Sequence, residues 1–243
     1  MKPALLTRCI ATLAAALLAA CASPPIAPPP AADGWQPLAL PGKKPTRYQW
    51  TEKDGRLALE ASSERSANIW RKRMEPSPGS IGEVRFSWWA QGLIPNASVA
   101  DVDREDAVAR VIFGFGGDID SLPMRTRMKF ELAQALTGEV PPYATLMYVW
   151  DSQLPVGTVV VNPRSDRIRK IVIDSGSAEL RRWRDHKRDL AADFRRAFGE
   201  EPGPLLSMAV MTDSDNSRAS ARTWYGPVSV GAAAAAAAAP PAP

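Results

Sequence analysis

The heptapeptide MTDSDNS, residues 211–217, brings Asp213, Asp215 and Asn216 together directly behind the apolar run LLSMAV. Asp213 and Asp215 stand two residues apart, so at an extended strand end their carboxylates project to one side, with the Asn216 side-chain carbonyl beside them. Hard oxygen donors so placed suit calcium, and the same side chains also cap turns by hydrogen-bonding nearby backbone. The stretch begins as an EF-hand loop does, but Arg218 fills the sixth position, where glycine is needed, and Trp224 the twelfth, where glutamate is needed. Calcium in another oxygen cage, on Asp213, Asp215 and Asn216, is the one cofactor expectation. Direct contact of these three with an organic ligand is the third use the turn allows.

Acids gather in two further connections, Asp101, Asp103, Glu105 and Asp106 in one, Asp118 and Asp120 in the other. A glycoside hydrolase needs two carboxyls about 5 to 9.5 Å apart across the sugar bond, one protonated and one charged. If the chain is a glycan hydrolase or lyase, Asp103, Asp106, Asp213 and Asp215 are its candidates. Other chemistries lack their residues. His186 is the one histidine, and neither Cys9 nor Cys21 is expected to stay free, so zinc lacks ligands. No G-x-S-x-G elbow accompanies His186 for a serine hydrolase. GFGGDI, residues 114–119, lacks the third glycine of a dinucleotide loop and the Gly-Lys-Ser/Thr of a phosphate loop, and reads as a turn after a strand. The balance leans away from an enzyme.

The elements that must position these residues are mostly strands. Short β-branched or aromatic runs bounded by Gly, Pro, Asn or Asp fall at 56–61, 83–90, 107–115, 143–150, 168–174, 205–212 and 222–230. Two helices are predicted. One spans about Pro123 to Leu136, with Met124, Met128, Leu132 and Leu136 on one face and Gly138 past its end. The other spans about Trp183 to Phe198, with Trp183, Leu190, Phe194 and Phe198 on a shared face and Gly199 as its stop. Many strands at short spacing, without regular βαβ alternation, predict a mainly β fold: an antiparallel sandwich, jelly-roll-like, with two inserted or flanking helices.

The chain holds eight tryptophans. Most should be core, yet neighbouring strand residues point to opposite faces, so Trp88 and Trp89 cannot share one. Val84, Phe86 and Trp88 form the apolar set, leaving Trp89 with Arg85 and Ser87, either covered by a helix or open as a flat ring on which a sugar could stack. The same alternation separates Trp224 from Tyr225. Trp89, Trp224 and Tyr225 join Asp213, Asp215 and Asn216 as ligand-binding candidates.

The N-terminus reads MKPALLTRCIATLAAALLAAC, with Lys2 and Arg8 ahead of an apolar stretch too short to span a membrane. Leu18-Ala19-Ala20-Cys21 resembles a bacterial lipobox, which makes residues 1–20 a signal peptide and Cys21 the lipidation site. Several acyl chains on one residue anchor stably, whereas one binds marginally. Ala22 rather than aspartate after the cysteine resembles sorting to the outer membrane, facing the periplasm. Residues 21–34 read as a Pro-rich tether, 35–230 as one domain, and 231–243 as an Ala/Pro-rich tail that builds no core. Without Lys2 and Arg8 the chain keeps 28 basic residues against 26 acidic, a formal charge near +2, and nothing demands nucleic acid.

DAVARVIFGF, PPYATLMYVW, NPRSDRIRKIVIDSG, DFRRAFGEEP and AVMTDSDNSRASARTWYGPV, in this order, resemble the bacterial family known as domain of unknown function 3047. The resemblance covers nearly all of 35–230 and implies an exported β-sandwich domain, with no catalytic residue to carry over. Where the family has threonine and glycine after D-x-D-N, this chain has Ser217 and Arg218, so a tight glycine turn is not expected there. The functional expectation is a lipid-anchored envelope protein that binds a carbohydrate or other envelope ligand without transforming it. Its alternatives are the glycan hydrolase or lyase, and a structural partner for other envelope proteins.

Overall fold

The computed structural model describes residues 27–29, 32–75 and 81–232. The signal segment, Cys21 and the tail from 233 onward lie outside the described residues.

Two sheets pack face to face. One runs β1 (Trp35–Ala39), β4 (Asn68–Arg73), β11 (Leu205–Met211), β6 (Arg110–Phe115), β7 (Ala144–Asp151), β9 (Ser165–Ser175), β8 (Val159–Asn162). The other runs β10 (Arg184–Asp189), β5 (Ile81–Ala90), β12 (Ser220–Tyr225), β3 (Arg56–Glu64), β2 (Arg47–Lys53), and β13 (Ser229–Ala232) adds to β5 beyond β12. This is the predicted sandwich with one departure, because β7 and β9 pair in parallel. β8 takes the sheet edge antiparallel to β9, which leaves β9 the slot beside β7.

Period-two patterning decides what faces inward. Val84, Phe86 and Trp88 of β5 enter the main core with Phe113 and Phe115 of β6, Leu146, Tyr148 and Trp150 of β7, and Tyr225 of β12. Trp89 and Trp224 point the other way, as alternation requires, and pack with Ala58 on the outer face of the second sheet. The predicted closing strand, 222–230, breaks at Gly226–Pro227 into β12 and β13. A side chain at Gly226 would collide with Ser87 Oγ, its Cβ only 2.1 Å away. β13 also carries Gly231 and Ala232, so strand structure runs two residues into the predicted tail.

Helix α1 (Met124–Thr137) lies where expected and ends on Gly138 in the left-handed conformation. The predicted helix from Trp183 is instead two elements. Arg184–Asp189 is strand β10, paired to β5, and α2 (Leu190–Phe198) begins only after it. The charges of RDHKRD fit both periods: Arg184, His186 and Arg188 are half-buried while Asp185, Lys187 and Asp189 are exposed. Cross-strand hydrogen bonding to the edge of β5 settles the competition. The Asp189 side chain then accepts from Ala192 N–H and starts α2.

Candidate functional site

The acids predicted from three separate connections converge only in part. Asp106, Asp213 and Asp215 each bring a carboxylate oxygen to within 4.8 Å of the others, whereas Asp103, Asp118 and Asp120 are exposed elsewhere. Arg110, on β6, binds Asp213 through two nitrogens, Nε to Oδ1 at 2.9 Å and Nη2 to Oδ2 at 2.8 Å, and Ala107 N–H adds a third bond to Oδ1. Asp215 pairs with Lys43. Asp106 accepts from the backbone N–H groups of Asn216 and Ser217. Burial pushes the Asp213 carboxyl above the usual carboxylate range despite Arg110 beside it.

These bonds form the turn that the missing glycine argued against. Arg218 takes a left-handed φ of 52°, a conformation that ordinarily favours glycine. The two N–H bonds to Asp106 and the Ala219 N–H to Ser214 O bond hold the loop closed around it.

Such an arrangement is a closed ionic lock. Asp106 and Asp213 are 2% and 4% exposed, so a sugar bond cannot reach between them. Calcium on Asp213, Asp215 and Asn216 would have to displace Lys43 and compete with Arg110. Thermal midpoints in calcium and in chelator are therefore expected to coincide. A calcium-dependent rise that Asp215→Ala abolishes would reverse this reading.

A second buried cation adjoins the lock. Lys170 Nζ donates to Val99 O at 2.7 Å and meets Glu105 at 3.2 Å, and Glu105 also holds Arg164. Burial first, then the Arg110 charge, bring the Lys170 ammonium down to about 8. Between that value and the ordinary lysine value of roughly 10, the folded state binds fewer protons than the unfolded one, so its stability rises with pH. The native protein should gain stability on Lys170→Met across this window in urea titrations. A constant difference from neutral to alkaline pH would contradict it.

Trp89 is covered, though by side chains rather than by a helix. The Lys53 ammonium lies 3.8 Å above its ring, and Trp224 meets it edge to face at 5.0 Å. Arg222 covers Trp224 in turn. With Trp89 at 7% and Trp224 at 6% exposure, neither ring offers a free stacking face. Tyr225 belongs to the inter-sheet core, where its hydroxyl donates to Met211 O, and it also lines the pocket shared by Trp35, Trp50 and Trp70. The open part of this sheet face is a polar groove of about 280 Å³ beside Arg85, Ser87, Asp185 and Lys187.

The accessible aromatics lie elsewhere. Where β1 and β4 face β2 and β3, the sheets part around a pocket of about 150 Å³. Trp35, Trp50 and Trp70 line it with Leu59, and Pro29 lies at its wall. Tyr48 stacks on Trp70 at 5.4 Å, which fixes that ring, and Trp70 Nε1 is buried without a hydrogen-bond partner among the described residues. Sequence reasoning counted these tryptophans but singled out none of them. The available signal was Tyr48 and Trp50 two apart in RYQWTEK, a period-two aromatic pair on an unassigned strand.

No curated protein matches the chain. Among solved structures it is similar to the family 11 carbohydrate-binding module of cellulosomal cellulase Lic26A-Cel5E of Clostridium thermocellum, with 10% identity, a TM-score of 0.40, and coverage of 82% of this chain and 88% of that one. It is likewise similar to Trichoderma harzianum endoglucanase 3 from family GH12, with 10% identity, a TM-score of 0.42, and coverage of 82% and 91%. The family model described as protein of unknown function (DUF3047) matches residues 33–229, and the chain belongs to that family.

Proposed function

We propose that this protein is a non-catalytic binding module of the cell envelope, lipid-anchored through Cys21, whose ligand enters the Trp35–Trp50–Trp70 pocket. The observation that carries the reading is the pocket itself, a recess lined by Trp35, Trp50 and Trp70 with an almost wholly apolar wall. Binding sites commonly combine an apolar lining with few, well-placed polar groups. A recess of this size accepts a benzene-sized group. A sugar ring fits it by laying its apolar face on tryptophan while its hydroxyls stay toward the mouth, because hydroxyls buried deeper would lose about 1–3 kcal/mol each. The carboxylates support binding over catalysis, since those that converge are occupied by Arg110, Lys43 and backbone N–H groups.

The test is sedimentation of the protein with purified cell-wall sacculi and other insoluble glycans, with the supernatants assayed for released sugar ends. Co-sedimentation without release is the expected result. Release of sugar ends would convert the protein into an enzyme, and absence of any co-sedimentation would remove glycans as its ligand.

A further inference from the structure

The groove of about 280 Å³ on the second sheet lies where β10 pairs with β5. Register sets Lys187 opposite Arg85 and Asp185 opposite Ser87. Alternation turns these four to the outer face, while Phe86 and His186 between them turn inward, where Phe86 joins the core and His186 bonds to Asp174. Ser87 is 8% exposed and forms the floor, and the charged side chains around it stand as exposed walls.

The charges of these walls do not cancel. Glu83 holds both cations of the strand pair, Arg85 Nε on Oε1 at 2.7 Å and Lys187 Nζ on Oε2 at 2.5 Å. Two cations on one carboxylate leave one positive charge without a counterion. Asp185 is matched by Arg56, at 2.7 and 3.3 Å. Asp189, the next outward residue of β10, accepts from Ala192 N–H and so spends its charge on the first turn of α2. Arg85 meets Glu83 through Nε alone, which leaves its two terminal nitrogens for another acceptor.

We propose that this groove binds the carboxylate of an acidic sugar, which Arg85 and Lys187 hold while Ser87 and Asp185 bond to the ring hydroxyls. The planar guanidinium fork matches the two oxygens of a carboxylate. A serine hydroxyl both donates and accepts, and the Asp185 oxygens keep lone pairs beyond those that Arg56 uses. One spare positive charge suits a monoanion. A phosphate monoester, with roughly 1.5 to 2 negative charges near neutral pH, would exceed it and meet repulsion from Glu83 and Asp185. The proposal requires nothing of the tryptophan pocket, although Pro227 lines both recesses.

The experiment is ligand-detected NMR titration of the full chain, at low ionic strength, with galacturonate, its methyl ester and galactose 6-phosphate. The ester keeps the ring and its hydroxyls and removes the charge. Galacturonate should bind about ten-fold more tightly than either of the other two. Arg85→Lys keeps the charge and loses the fork, so it should remove most of that margin, and Lys187→Ala should remove part of it. Both side chains are exposed, 65 and 62%, so the fold is retained. Equal binding of acid and ester, or no binding of galacturonate, would overturn the proposal. Tighter binding of galactose 6-phosphate would overturn the choice of a carboxylate, and full affinity in Arg85→Lys would overturn the role of the fork.

Discussion

Asp213→Asn is expected to lower the thermal midpoint by about 10 °C, from a stability loss of roughly 3–5 kcal/mol. The substitution keeps the side chain's shape, and its remaining carbonyl can still accept from Ala107 N–H. What it removes is the countercharge of Arg110, whose guanidinium is only 4% exposed. Burial works against that guanidinium's charge, and Asp213, Glu105 and Asp106 together outweigh it, raising its pKa above the usual arginine value. With Asp213 neutral, the strongest of these partners is gone while the cost of burial stays.

A double-mutant cycle separates the loss of the pair from the loss of a contact. Arg110→Met alone should also destabilise, because it leaves Asp213 buried without its cation. The cycle takes Arg110→Met, Asp213→Leu and the two together, and the double variant should recover much of the loss, since replacing both members of a buried pair by apolar groups is often near neutral. If the two single changes instead add in the double variant, Arg110 and Asp213 are not coupled and the lock is misread. The cycle reaches Lys170 as well. Removing the Arg110 charge removes one cause of its lowered pKa, and the alkaline rise in stability should become smaller.

What the sequence shows of this architecture follows from how strongly each segment is buried. β5, β6, β7, β9 and β11 are interior strands of their sheets with one face in the core, so their apolar pattern is plain in the residues. β1, β2 and β4 are hard to read because their alternation is diluted by polar residues, as in RYQWTEK, where Tyr48 and Trp50 alternate with Arg47, Gln49 and Thr51, and β8 because VVVN is only four residues long. β10 failed for a different reason: charges on both faces of RDHKRD satisfy helical and strand spacing equally, and only the edge of β5 decides between them. The acidic turn was legible as a polar loop behind a strand. Its partners Lys43, Asp106 and Arg110 come from parts of the chain more than 100 residues away, which no local pattern encodes. The tryptophan pocket was hidden for the same reason as its strands, since Trp35, Trp50 and Trp70 each belong to one of the unassigned β1, β2 and β4.

Trp50→Ala should weaken pelleting with the glycan ligand by about 30-fold, the effect of losing a binding residue worth roughly 2 kcal/mol. β2 is an outer strand that, among the described residues, pairs only with β3, and Trp50 is half-buried, so the sandwich should survive the truncation. Lost packing remains the competing explanation, and Trp70→Phe distinguishes the two. Phenylalanine keeps an aromatic ring against Tyr48 and removes Nε1, an N–H that has no partner among the described residues. A buried donor left unsatisfied costs stability, so its removal should leave the apo protein as stable as before or slightly more so. If that N–H meets an acceptor on the ligand, affinity should fall in the same variant. Unchanged or higher stability together with weaker binding identifies a group kept for its ligand rather than for the fold. Unchanged binding by both Trp50→Ala and Trp70→Phe would move the site out of this pocket, and the polar groove beside Arg85, Ser87, Asp185 and Lys187 would be the next surface to substitute.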